Sequence, residues 1–200
     1  MKLILASSSK QRRDILDMIG LKYEVITSLA EEDSNESDPF NYVKELSRIK
    51  ALSVREQIKE KAIIVAADTI ICSDNEKYEK PKTKEQAFNT MQKMSGKVTN
   101  AVTGVTILDL YKNKEICFTD VAEVKFNNIS DDDIRWYVDN EDKLLNVSGY
   151  VLLGKASIFL DYVKGDYNTI FGISPSKVYQ QLAKLGYKLS DFELKWIVKN

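Results

Sequence analysis

The chain has 200 residues, 44% of them apolar, which is enough for one sizeable core and at most two small lobes. Lysine and arginine number 29 against 30 aspartates and glutamates, so no global field exists to draw in nucleic acid or an anionic membrane. Histidine is absent, which excludes a Ser-His-Asp or Cys-His site, a histidine general base and a histidine-ligated zinc. Acid–base work falls to Asp, Glu, Lys or Tyr, and a divalent metal would sit among oxygen ligands, which favours Mg²⁺ or Mn²⁺.

Met1 and Lys2 precede only four apolar residues, too few for a signal peptide, and no later run approaches a membrane span. The expectation is a soluble, cytoplasmic protein. Leu3 to Ala6 reads as a buried strand that enters Ser7, Ser8 and Ser9, followed by Lys10, Gln11, Arg12 and Arg13 and a helix ending at Gly20. Hydroxyls and cations at the positive end of a helix suit phosphate; the same residues also suit an ordinary turn, cap and solvated first turn. Lys22 to Thr27 alternates as a strand, and Ser28 to Asp38, with Glu31, Glu32 and Asp33, reads as an acidic loop. Asp38 before Pro39 predicts a capped helix to about Lys59, with Phe40, Val43, Leu46 and Ile49 on its apolar stripe.

Ala62 to Cys72 reads as a strand covered on both faces, interrupted by Asp68 and Thr69. Ser73 to Asn75 marks a turn, and Thr83 with Gln86 forms a capping box for a helix that stops at Ser95 and Gly96. Lys97 to Leu110 and Glu115 to Phe126 read as two joined strands, and Ser130 to Asp133 opens an acid-capped helix. Ala156 to Val163 is strand-like, Gly165 to Tyr167 a turn, and Ser174 with Pro175 begins a helix through Leu185. Ser190 and Glu193 predict a last short helix carrying Phe192, Trp196 and Ile197. Cys72 and Cys117, far apart in strand-like surroundings, read as reduced core thiols. Without repeats or a Pro/Gly-rich linker, this order predicts an α/β or α+β architecture around one mixed sheet.

Asp68 is the strongest chemical signal after the serines. A carboxylate inside so apolar a run costs several kcal/mol to bury uncompensated, so it must be paired, metal-bound or at the exposed mouth of its strand. A purely stabilising buried aspartate is the alternative. Lys50 follows Ile49 where the apolar stripe is dense, which directs its charge along the core edge. There an ionic hydrogen bond contributes about 1.5 to 3 kcal/mol, against about 0.2 to 1 for an exposed pair. Lys80 before Pro81 marks an extended stop. Ser7 and Ser9, two apart, share a side of an extended chain and suit two phosphate oxygens, or serve as loop and cap.

Taken in order, these segments resemble the Maf family, also called septum-formation proteins, which are nucleoside triphosphate pyrophosphatases. The family's opening Leu-Ile-Leu-Ala-Ser-x-Ser-Pro-Arg-Arg-x-Glu-Leu-Leu corresponds to Leu3 to Leu16, and its Asp-Glu to Glu31 and Glu32. Its Lys-Ala is Lys50 and Ala51, its Ala-Asp-Thr is Ala67 to Thr69, and its Lys-Pro is Lys80 and Pro81. Its Ser-Gly-Lys and Thr-Gly are Ser95 to Lys97 and Thr103 with Gly104, and its Gly-Asp-Tyr is Gly165 to Tyr167, with Gly172 to Pro175 after it. The departures are Lys10 for the proline, Gln11 for the first arginine, and Leu153 for a glutamine. In relatives that prefer dTTP and UTP those last two positions and the threonine matching Thr69 are associated with base choice, so the base preference does not carry over.

The resemblance implies a Maf/ITPase-like α/β fold, an elongated mixed sheet flanked by helices with two lobes around a central cleft. Residues 1–200 would form one domain, those after about 187 being a C-terminal extension, and a homodimer is usual. It implies hydrolysis of nucleoside triphosphates between the α and β phosphates, on pyrimidine or modified nucleotides, with a link to restraint of cell division. Asp68 would be catalytic, and Asp68 with Glu32 would hold Mg²⁺ or Mn²⁺. Ser7, Ser9, Gln11, Arg12, Lys50, Thr69, Lys80 and Leu153 would line the substrate. A nucleotide-sensing protein without turnover is the other reading, motivated by Gln11 and Leu153.

Overall fold

The computed structural model describes residues 1–73 and 76–195. In chain order the elements are β1 (Leu3–Leu5), α1 (Lys10–Met18), β2 (Glu24–Val25), α2 (Pro39–Gln57), β3 (Ile63–Ser73), β4 (Glu76–Tyr78) and α3 (Lys84–Met94). Then follow β5 (Val98–Asp109), β6 (Lys114–Phe126), α4 (Asp131–Asn140), β7 (Leu160–Lys164), α5 (Tyr167–Ile170) and α6 (Pro175–Lys184). The described strands form one mixed seven-stranded sheet in the order β2-β1-β3-β5-β6-β7, with β4 paired to β3. β1 lies parallel to both β2 and β3, in register Leu3 with Ile63 through Leu5 with Val65, whereas β4 on β3 and β7 on β6 are antiparallel.

Contacts divide the chain into two compact units. The first comprises Met1–Thr69, Thr103–Asp120 and the chain from Asn168 onward; the second comprises Ile70–Val102 and Val121–Tyr167. In the first, Ile4, Ala6, Ile64 and Ala66 of the sheet pack on Ala51 and Val54 of α2. The alternation is physical: parallel strands covered by a helix present apolar side chains on that face. In the second unit the aromatic rings of Phe126 and Tyr150 meet edge to face at 4.9 Å, and those of Tyr137 and Phe159 at 6.0 Å.

The helix starts follow the capping chemistry of the sequence. Asp38, Thr83, Ser130 and Ser174 each accept a hydrogen bond from the backbone N–H three residues on. The Ser95–Gly96 stop also forms, Gly96 taking a φ of 68°.

Five expectations are corrected. The strand expected over Lys22 to Thr27 shrinks to Glu24–Val25, because its parallel partner β1 is itself only three residues long. Lys155–Phe159 is a 3₁₀ turn and not strand; Ala156 and Phe159, three apart, share its buried side, and pairing begins only at Leu160. Tyr167 opens α5 instead of closing a turn. Cys72 is buried, but Cys117 is exposed, because it sits in the outer half of β6. Near the C-terminus, Leu189–Asp191 is a 3₁₀ turn, after which Leu194 pairs antiparallel with Leu21. Bonds from Lys22 N to the Glu193 carbonyl (2.9 Å) and from Lys195 N to the Gly20 carbonyl (2.8 Å) hold Glu193 in extended chain, so it caps no helix. Trp196 and Ile197 lie outside the described residues. One short strand, β4, carries no mark in the sequence beyond the stop at Lys80 and Pro81.

Candidate functional site

Two charged centres form in the first unit, one on each of its two helices that follow a strand of the parallel pair. At the first, Ser7 leaves β1 and its Oγ accepts hydrogen bonds from Ser9 N and from Arg12 Nη1, both at 3.1 Å. Ser9 caps α1, its Oγ 3.5 Å from Arg12 N. Arg12, on the first turn, therefore points back under the helix instead of into solvent, and is 9% exposed. Its Nε donates to the Gly172 carbonyl at 2.9 Å and its Nη2 to Thr69 Oγ1 at 3.1 Å. Gly172 is required for this approach: its φ is +102°, and a Cβ there would stand 2.7 Å from Arg12 Nε.

At the second centre, Lys50 of α2 is 8% exposed, and its Nζ lies 2.6 Å from Asp68 Oδ1 and 2.9 Å from Glu32 Oε2. Asp68 is thus paired, at the point where the buried run of β3 opens and side chains become partly accessible. The helix is seated by a close backbone approach. A Cβ on Gly104 of β5 would fall 2.2 Å from the Val43 carbonyl oxygen, and Ser47 Oγ and Thr106 Oγ1 meet at 2.8 Å beneath it. Glu32, half exposed, reaches in from the acidic loop.

The two centres feel one another. Burial pulls the Arg12 guanidinium below its ordinary value, and the charges of Asp68 and Glu32 oppose that shift. Two cations and two carboxylates therefore stand in near balance. Such a set can bind phosphate through the cations and can hold a divalent ion through the carboxylate oxygens. Among the described residues no group of three or more His, Cys, Asp or Glu is placed to hold a metal.

Of the residues singled out in the sequence, the structure brings Ser7 and Thr69 onto the Arg12 guanidinium, with Ser9 on the Arg12 backbone N–H, and Asp68 and Glu32 onto the Lys50 ammonium. Ser9 acts as a cap, one of the two roles the sequence allowed it. Gln11 is exposed on α1. Lys80 and Leu153 belong to the second unit, where both are exposed. Sequence reasoning placed Thr103 in the Thr-Gly motif without a role and missed Thr169 and Asp120; the three continue the hydrogen bonds beyond Thr69. The available signal was a threonine inside the apolar run of β5, a position that demands a partner once buried.

The family model described as "Maf-like protein" matches residues 2–185. A protein from Pyrococcus abyssi named dTTP/UTP pyrophosphatase is 39% identical over 186 residues, covering 93% of this chain and 97% of that protein. One of the same name from Thermosipho melanesiensis is 37% identical over 182 residues, 91% and 97% of the two chains. Among solved structures, a HAM1 protein from Coxiella burnetii aligns with a TM-score of 0.46 at 11% identity, covering 92% of this chain and 98% of that one.

Proposed function

Because the chain belongs to the Maf-like protein family, we propose that it is a nucleoside triphosphate pyrophosphatase. Water attacks the α phosphorus, the bond from that phosphorus to the α,β-bridging oxygen breaks, and the electron pair leaves on pyrophosphate. The other product is the nucleoside monophosphate. The observation that carries this reading is the pairing of Asp68 with Lys50 at the opening of β3, an anion and a cation 2.6 Å apart at the edge of an apolar core.

In this reading Asp68 orients the attacking water and accepts its proton. Lys50 and Arg12 neutralise charge that develops on the phosphate oxygens, and the hydroxyls of Ser7 and Ser9 line the same turn. Lys80 as a third phosphate cation rests on the family resemblance. Glu32 and Asp68 would hold Mg²⁺ or Mn²⁺, and two carboxylates suit an ion that completes its shell with water and substrate phosphate. When bound, that ion supplies positive charge and makes a coordinated water more acidic. The names of the relatives make dTTP and UTP the first substrates to test, and Gln11 and Leu153 are positions where this chain departs from the family pattern that the resemblance rests on. The proposal includes a homodimer working in the cytoplasm. Among the described residues no helix is long and apolar enough to cross a membrane.

The test is pyrophosphate release from a panel of natural and modified triphosphates with Mg²⁺ or Mn²⁺. Release from at least one triphosphate, stopped by chelation and reduced about 10²- to 10⁴-fold in Asp68→Asn, is the expected result. Tight nucleotide binding by the wild-type protein with no release would replace the enzyme with a nucleotide sensor.

A further inference from the structure

Resting on the reading of this site as a phosphate cradle, we infer that Thr103 is a positioning residue for it: its hydroxyl sets the direction of the Thr69 O–H and so holds the Arg12 guanidinium in place. Thr103 is fully buried on β5. Its Oγ1 donates to the Thr169 carbonyl at 2.8 Å and lies 2.9 Å from Thr69 Oγ1. A hydroxyl has one proton. That of Thr103 is committed to the carbonyl, so in the contact between the two threonines Thr69 is the donor. The proton of Thr69 then points away from Arg12, and its oxygen turns a lone pair toward Arg12 Nη2.

The bonds therefore run in one direction, from the Arg12 N–H to Thr69, from Thr69 to Thr103, and from Thr103 to the backbone of α5. Each donor in such a chain strengthens the next. The far end is anchored as well, because Thr169 Oγ1 donates to the Asp120 carboxylate on β6. A guanidinium has five N–H groups. Its bonds to Gly172, Ser7 and Thr69 use one from Nε and one from each Nη, which leaves one N–H on each Nη for a phosphate oxygen. Without the Thr103 hydroxyl, the Thr69 proton has no acceptor on that side and can swing toward Arg12, where donor would face donor. Arg12 would then keep two of its three supports.

The experiment compares wild type, Thr103→Val and Thr103→Ser as full chains, measuring affinity for inorganic tripolyphosphate by calorimetry, kcat and KM for dTTP and UTP, and thermal unfolding. Thr103→Val is expected to remain folded and to bind tripolyphosphate about tenfold more weakly, the scale of one hydrogen bond to a charged group. Thr103→Ser, which restores the hydroxyl, is expected to recover the wild-type affinity. Equal affinity in Thr103→Val and wild type overturns the inference, and so does a Thr103→Ser as impaired as Thr103→Val, since restoring the hydroxyl would then restore nothing. If Thr103→Val does not fold, Thr103→Cys, close in volume and weak both as donor and as acceptor, carries the same comparison. Thr69→Val should weaken binding as well, and adding Thr103→Val to it should cost nothing further; additive losses count against the chain. Arg12→Gln separates the two readings. If it leaves tripolyphosphate affinity unchanged, the phosphate cradle itself fails; if it weakens affinity while Thr103→Val does not, only the role of Thr103 fails.

Discussion

Asp109 and Asp68 both belong to the first unit, lie on long apolar strands and are withdrawn from water, Asp109 wholly and Asp68 to a side-chain exposure of 14%. Their partners differ in kind. Asp109 Oδ1 accepts the backbone N–H groups of Tyr111 and Lys112 at 2.9 and 3.1 Å, and its Oδ2 accepts the Tyr187 hydroxyl at 2.8 Å. Those donors are neutral, and they close the turn between β5 and β6 and tie the chain after α6 to it. Asp68 instead faces an ammonium that it shares with Glu32. A carboxylate whose oxygens are all taken up by neutral donors is a structural clamp, whereas one paired with a cation keeps its chemistry, because a phosphate can draw that cation to itself. Burial of an acid does not mark a site; the character of its partners does.

The sharpest way to break this contrast is to remove each acid in turn. Asp68→Asn should stop pyrophosphate release almost completely at a smaller cost in unfolding temperature, because Glu32 stays paired with Lys50. Asp109→Ala should do the reverse, losing about 2 kcal/mol or more of stability because buried donors are left unpaired, with kcat retained by the folded fraction. Steady-state kinetics beside thermal melts decide it, and a large loss of kcat in folded Asp109→Ala would end the distinction.

The cation gives the next test. Lys50→Met leaves Asp68 without its partner and should cost about 3 kcal/mol, at the lower end for a broken buried pair because Glu32 remains half solvated. Adding Asp68→Asn to Lys50→Met should recover much of that stability in denaturant unfolding. No recovery would mean that Lys50 stabilises through its alkyl chain and not its charge.

The smallest effect concerns pH. Burial, and then the hydrogen bond to Asp109, raise the Tyr187 phenol above its ordinary value of 10.0. The folded state thus favours the protonated phenol, so its contribution to stability is complete below about pH 10 and is lost as pH rises through the higher folded value. Tyr23 and Tyr137, pushed up to about 12 chiefly by burial, act in the same sense between about pH 10 and 12. Tyr187→Phe should flatten part of the alkaline fall in unfolding temperature; an unchanged profile would remove Tyr187 from the clamp.

Much of the fold was legible in the sequence because it depends on neighbours along the chain. Asp38, Thr83, Ser130 and Ser174 cap helices through donors three residues away, and Asp68 announces itself by contrast with the apolar residues beside it. What failed was decided across the sheet. Lys22 to Thr27 has a strand pattern but too short a partner, Cys117 sits on the outer half of its strand, and Glu193 pairs with an edge near Gly20.

The sequence by itself determined which charged and hydroxyl groups this protein has and where its helices begin, since propensity, capping and hydrophobic period act over a few residues. Only the tertiary structure decided that Glu32 shares Lys50 with Asp68, that Gly172 receives Arg12 from 160 positions away, and that Thr103 stands behind Thr69. The reason is directional: a hydrogen bond or ion pair needs its two atoms within about 3 Å at a workable angle, and spacing along a chain does not specify how distant segments meet in space.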